Sequence, residues 1–166
     1  MSNMTIEDPI QRLRDDHDAV LGVLDDFEAA LFDLLGARPR EAARRLRDGL
    51  AGLEVEVRKH GELEESILYP TLRKHVTTPT IEGLTDEHAE IRRAIELLAK
   101  ALGDNADTAV TELHWLAVSV VDLLRRHMER EADVLFGLVA HELSGSEYES
   151  LAHAMHQYLH ERPQSI

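Results

Sequence analysis

Six residues in this chain have side chains suited to holding a transition metal, at a spacing that could bring them together: His17, His60, Glu64, His88, His127 and Glu131. Imidazole nitrogen and carboxylate oxygen are donors that iron, manganese and zinc all accept. Two of the histidines are followed four residues later by a glutamate, in His60-Gly61-Glu62-Leu63-Glu64 and His127-Met128-Glu129-Arg130-Glu131. On an α-helix this interval places both side chains on one face, one turn apart. The chain has no cysteine. Disulfides, thiolate catalysis and cysteine-ligated iron–sulfur clusters are therefore excluded, and any metal must be held by nitrogen and oxygen. The 10 histidines, in only 166 residues, are the compositional excess that needs a cause.

The elements that position these residues read as helices. Punctuation falls at Gly36-Ala37-Arg38-Pro39, Thr77-Thr78-Pro79, Gly103-Asp104-Asn105 and Ser144-Gly145-Ser146. Between these breaks the periodicity predicts helices at about 8–35, 39–75, 80–102, 106–142 and 146–160. The first has an inward stripe of Leu13, His17, Val20, Leu24, Phe27, Leu31 and Leu34. In the second, Leu46, Leu50, Leu53, Val57, His60, Glu64, Ile67 and Thr71 form the seam. The third carries Ile81, Leu84, His88, Ile91, Ile95, Leu98 and Leu102. Leu113, Val120, Leu124, His127, Glu131, Val134 and Leu138 face inward from the fourth. Pro70 lies inside the second segment, where its missing N–H should kink the helix just below Glu64.

Short connections make successive helices antiparallel neighbours. The expected fold is all-α: an up-down-up-down antiparallel four-helix bundle at about 8–142 with a short additional C-terminal helix at about 146–160, as one domain over 1–166. At 1.5 Å rise per residue, the polar residues of the four seams lie at matching depths to within a turn, near one end of the bundle. Six polar groups in one layer of a leucine-rich core would cost several kcal/mol if they had no partners. Two cations would compensate, with four neutral imidazoles as terminal ligands and two glutamates as bridges between the metals. Such a set leaves positions open for an oxo or hydroxo bridge and for an exogenous ligand.

The order His, His-x-x-x-Glu, His, His-x-x-x-Glu on successive helices resembles the hemerythrin-like (HHE cation-binding) family. The matching segments are Asp16-His17-Asp18, His60 to Glu64 running on to Leu68-Tyr69-Pro70, Glu87-His88-Ala89-Glu90, and His127 to Glu131 followed by Leu135-Phe136. The resemblance covers about residues 10–140 and implies a non-haem di-iron centre on those six residues, with zinc or manganese as other possible occupants. It departs from the oxygen-carrying members at two points. They have a second histidine one turn after the third-helix ligand, where this chain has Arg92, and an aspartate at longer spacing where it has Glu131. The ligand set looks like that of the bacterial subgroup linked with iron-centre repair, peroxide or nitric oxide chemistry. With one imidazole fewer, a metal has an extra position for a small ligand, which implies reactivity ahead of reversible dioxygen storage. The cysteine-bearing N-terminal domain usual in iron-repair proteins is absent from this sequence, so an iron-donor role is the less expected one.

Three functional readings stand open. One is a protein that reacts with or senses dioxygen, hydrogen peroxide or nitric oxide, catalase- or peroxidase-like in its enzymatic form. The second is a non-catalytic centre that binds a diatomic ligand or stores or donates iron, and the third a metal-free interaction bundle. Tyr69 is close enough to the second-helix motif to approach the metals, with packing its expected role and a redox or hydrogen-bonding role its alternative. Glu65 and Glu129 should point about 100° away from the seam and are read as surface charge. Asp16 and Asp18 are expected to face solvent before serving any imidazole. His153, His156 and His160 read as a partly exposed face beside Leu151, Met155 and Leu159. His75, His114 and His141 sit near helix ends or at other levels, and no ligand role is expected for them. A net charge of −14, with 18 basic residues scattered among 32 acids, argues against nucleic acid as a partner. No apolar run approaches the ~20 residues of a spanning helix. The first residues do not read as a secretory signal, so a cytoplasmic address is the expectation.

Overall fold

In the computed structural model, residues 7–103 and 108–161 are described, and every regular element among them is helical. The first helix, α1, is Pro9–Leu34. Its N-cap Asp8 accepts a hydrogen bond from the backbone N–H of Gln11, and Pro9 sits where a missing N–H costs nothing. Helix α2 (39–72) runs as α-helix over Pro39–Leu63, as a π turn over Glu64–Leu68 and as α-helix again over Tyr69–Leu72. Helix α3 is Thr78–Ala101. Helix α4 (110–141) has the same three-part build: Val110–Glu131, a π turn Ala132–Phe136, then Gly137–His141. Helix α5 is Gly145–Glu161.

These bounds follow the predicted ones with two differences. The second helix stops at Leu72 instead of 75, and the fourth begins at Val110. Its expected start at 106 lies outside the described residues.

The two π turns change the inward register. The Tyr69 N–H bonds to the Glu64 carbonyl, five residues back, so the turn holds one residue more than an α-helical turn. The predicted seam positions Ile67 and Thr71 are therefore only half-buried, while Leu68, Tyr69 and Leu72 are in the core. In α4 the shift repeats: Val134 and Leu138 give way to Leu135 and Val139. Pro70 is the local cause in α2, since it has no N–H to return to the preceding turn and favours a break there. Instead of a simple kink, the break takes the form of a π turn. The α4 turn, Ala-Asp-Val-Leu-Phe, has no such signal in its sequence.

Helix α1 packs along α2 and α4, and α3 along α4 and α2, which is consistent with the expected closed bundle. The α1–α4 seams predicted above Glu64 and Glu131 are buried as expected. Leu24, Phe27, Leu46, Leu53, Ile91 and Leu124 belong to one apolar cluster. A second cluster joins Leu13, Leu63, Leu68, Leu84 and Leu135 to Leu151 and Met155 of α5. Among the described residues, the buried polar ones are His17, His60, Glu64, His88, His127 and Glu131. They therefore form a polar layer with apolar packing on either side, and α5 closes the nearer end. Tyr148 of α5 donates to Asp8 Oδ2 at 2.6 Å, which ties this closing helix to the start of α1.

Candidate metal centre

Each of helices α1 to α4 sends its polar seam residues into this layer because the neighbouring positions on the same face are leucine, isoleucine or valine. Burying those side chains, at roughly 1.5–3 kcal/mol each, carries the polar groups inward with them. His60, Glu64, His88, His127 and Glu131 each present one donor atom, and these five atoms all lie within 4.8 Å of one another. His17 stands at the edge of this group. Its Nε2 is 3.4 Å from Glu131 Oε2, and its ring meets that of His60 edge-on at 4.9 Å. At 6% exposure it is the least buried of the six.

The contacts converge on two carboxylate oxygens. Glu131 Oε2 lies 3.2 Å from His60 Nε2 and 3.3 Å from His127 Nε2. Glu64 Oε2 lies 3.4 Å from both His60 Nε2 and His88 Nε2. Tyr69 links the two glutamates: its hydroxyl donates to Glu131 Oε1 at 2.6 Å and lies 3.2 Å from Glu64 Oε2. The π turn makes this possible, because in an α-helix a residue five positions on would point well away from Glu64. The Tyr69 ring also stacks on His88, with centroids 5.8 Å apart and planes 16° from parallel. Hydrogen bonding to both glutamates thus accompanies the packing role expected of this residue.

Charge in so dry a layer must be shared out. Burial raises the Glu64 carboxyl well above its usual range, and the neighbouring charge of Glu131 adds to the effect. For Glu131, burial pushes the same way but is outweighed by the facing imidazoles of His17 and His60, so it is held well below the usual range. Burial also disfavours the His60 cation, yet Glu64 and Glu131 overcome this and raise its pKa to about 9. His127 is lowered, chiefly by burial. Burial and the two glutamates push the Tyr69 hydroxyl far up, so it keeps its proton. A bound cation would take over the compensation of the buried carboxylates and compete with protons for the same atoms.

The chemistry of the unpaired atoms fits a cation. His17 Nε2, His88 Nε2, His127 Nε2 and Glu64 Oε1 are all buried with no hydrogen-bond partner among the described residues. Unpaired buried nitrogen and oxygen atoms are costly, and native proteins seldom leave several together. Three imidazole nitrogens and a carboxylate oxygen are the donors that iron, zinc or manganese would satisfy.

The surroundings differ from expectation in one place. Glu65, read from its helical angle as surface charge, accepts a hydrogen bond from His88 Nδ1 at 2.8 Å. The angle is measured about α2 alone and takes no account of the α3 imidazole standing beside it. Glu87, for which the sequence reading assigned no role, makes the equivalent contact with His127 Nδ1 at 3.0 Å. A signal for Glu87 existed, since it directly precedes the ligand candidate His88, but only helix packing shows which imidazole it meets. Glu129 is exposed, as expected. Asp16 pairs with Arg12 at 2.6 Å, one turn away on its own helix. On α5, His153 and His160 direct their Nδ1 atoms to carbonyl oxygens one turn back, and His75 pairs with Glu147. None of these three joins the layer.

Between α1 and α4 an open cleft of about 360 Å³ reaches the layer at His17. Its walls include Arg14, Asp18, Leu21, Arg125 and Phe136, and the Phe136 ring lies against His17 with centroids 5.0 Å apart.

Helices closing on a buried layer of nitrogen and oxygen donors define a helical protein with an interior consistent with a cation site. The family model described as the hemerythrin HHE cation binding domain matches residues 6–139, and the chain belongs to that family. A protein from Nostoc sp. (strain PCC 7120) named "DNA nickase" is 27% identical over 109 residues, a match covering 66% of this chain and 30% of that relative. The chain thus corresponds to less than a third of that relative's length. No helix among the described residues is long and apolar enough to cross a membrane.

Proposed function

We propose that this protein is a non-haem di-iron protein built on an up-down-up-down four-helix bundle, and that it reacts with or senses a small oxidant such as dioxygen, hydrogen peroxide or nitric oxide. The imidazoles of His17, His60, His88 and His127 and the carboxylates of Glu64 and Glu131 would hold the metals. The observation that carries this reading is the pair of unpartnered Nε2 atoms of His88 and His127 converging with two fully buried glutamates in one buried layer. Bound iron would supply redox and Lewis-acid chemistry. Zinc and manganese suit the same donors, so the choice of metal is decided by measurement.

The chain's own residues have definite tasks in this scheme. Tyr69 holds a proton at its hydroxyl oxygen between Glu131 Oε1 and Glu64 Oε2. Leu13, Leu63, Leu84 and Leu135 exclude water from one side of the layer. The cleft between α1 and α4 offers a small molecule its approach, with His17 at the inner end.

The name of the Nostoc relative belongs to a protein of which this chain matches only 30%. An acidic chain of net charge −14 is a poor surface for phosphate backbones. DNA is accordingly not proposed as a partner.

The test is metal analysis with an optical spectrum after aerobic preparation. About two irons per chain with a di-ferric absorption band is the expected result, and less than about one metal per chain removes the reading. Peroxide disproportionation faster than that of free iron, and lost in Glu64→Ala, would assign a catalase-like reaction. A reversible spectral change with dioxygen or nitric oxide and no turnover would assign sensing.

A further inference from the structure

Two of the four imidazoles in the layer are gripped from behind, and a third, His60, is not. His88 Nδ1 lies 2.8 Å from Glu65 Oε1, and the same oxygen accepts from Arg92 Nη1 at 3.0 Å. His127 Nδ1 lies 3.0 Å from Glu87 Oε2, and Arg130 Nη1 donates to the other oxygen of that carboxylate. The design repeats. In each case the carboxylate comes from the preceding helix, and the arginine from the helix of the histidine it serves. A carboxylate facing Nδ1 keeps the proton on that nitrogen, which leaves the Nε2 lone pair bare and aimed into the layer. Both Nε2 atoms are buried and unpartnered among the described residues.

The other pair is held differently. His60 Nδ1 is buried with no hydrogen-bond partner among the described residues. His17 is held by ring contacts with His60 and Phe136 and lies beside the open cleft. The gripped rings are neighbours, with centroids 4.5 Å apart, and His17 and His60 are neighbours at 4.9 Å. His60 stands 6.2 Å from both gripped rings. A separate feature supports the second grip: a Cβ on Gly83 would come within 3.2 Å of Arg130 Nη2, so glycine leaves room for the guanidinium to lie across α3 toward Glu87.

We propose that Glu65 and Glu87, each braced by an arginine, are positioning residues that fix His88 and His127 for a transition metal. The α3–α4 side of the layer then binds metal more tightly than the side formed by His17 and His60. Arg92 thus has a specific task at the position where the oxygen-carrying relatives place a further histidine: it braces Glu65 and donates no electron pair to a metal. The proposal rests on the reading of the layer as a metal centre.

The experiment is titration of the metal-free protein with Co²⁺ alone, followed by visible absorption and by competition with a chromophoric chelator. Wild type is expected to load in two unequal steps. Glu65→Ala and Glu87→Ala should each weaken the tighter step about 10–100-fold, with Glu65→Gln and Arg92→Gln intermediate and the weaker step changed far less. Glu90→Ala, at an exposed acid on α3, should change neither step. If the alanine variants do not fold, the two glutamine variants carry the test. Wild type that loads two Co²⁺ with both steps unaffected in every variant overturns the grips and leaves the metal centre standing. Wild type that takes up less than about one Co²⁺ per chain overturns both.

Discussion

Replacing Tyr69 with phenylalanine removes one oxygen from the middle of the polar layer and leaves the ring stacked on His88. The side chain is 2% exposed and Glu131 is fully buried, so water cannot readily take the place of the lost hydroxyl. Glu131 Oε1 accepts from Tyr69 at 2.6 Å. A hydrogen bond to an ionised acceptor contributes about 1.5–3 kcal/mol, and the orphaned oxygen places the cost in the upper part of that range. For a chain of this size each kcal/mol is worth about 2–4 °C, so the metal-free Tyr69→Phe variant should melt ~4–12 °C below wild type. With metal bound, cations satisfy the glutamate oxygens and the difference should shrink to less than half. Circular dichroism melting of both proteins, metal-free and metal-loaded, measures all four values. A metal-free variant that melts within about 1 °C of wild type would refute the reasoning, because the hydroxyl would then contribute no net stability in the layer.

Other outcomes follow from the same geometry. Leu24→Ala, at a fully buried position in the apolar cluster away from α5, should cost ~2–5 kcal/mol in urea denaturation without changing metal stoichiometry. Altered stoichiometry there would mean that the packing and the site are not separable. The raised pKa of His60 sets a pH dependence in the metal-free protein. The stabilisation from His60 is fully present below its unfolded value near 6.5 and is lost as pH rises through about 9. Metal-free protein should therefore melt lower across that window, whereas loaded protein, whose imidazole is held neutral by the metal, should show no such decline. Phe136→Ala uncovers His17 beside the cleft and should let a chelator strip bound metal several-fold faster than from wild type. Unchanged stripping kinetics would point to a different route into the layer.

Much of the buried polar layer was legible because helical periodicity is local. Leu13, His17, Val20 and Leu24 are spaced for one face, and that face is buried. The four inward stripes carry their histidines and glutamates with them, so the members of the layer and their common depth could be read before any packing was known. The limit shows first at Ile67, Thr71, Val134 and Leu138. A constant helical period assigned them to the core, and two π turns moved the burial to Leu68, Leu72, Leu135 and Val139.

The sequence by itself therefore determined the helices, the donor types and the exclusion of cysteine chemistry, because spacing along one helix and the inventory of side chains are properties of the chain alone. Tertiary structure decided what stands behind those donors. Glu65 lies at an outward angle on its own helix, yet α3 brings the His88 Nδ1 to it, and Glu87 meets an imidazole 40 residues further along the chain. Tyr69 reaches both glutamates only because a π turn rotates it inward. Such contacts depend on how neighbouring helices are rotated and offset against one another, and no period within a single helix encodes that relation.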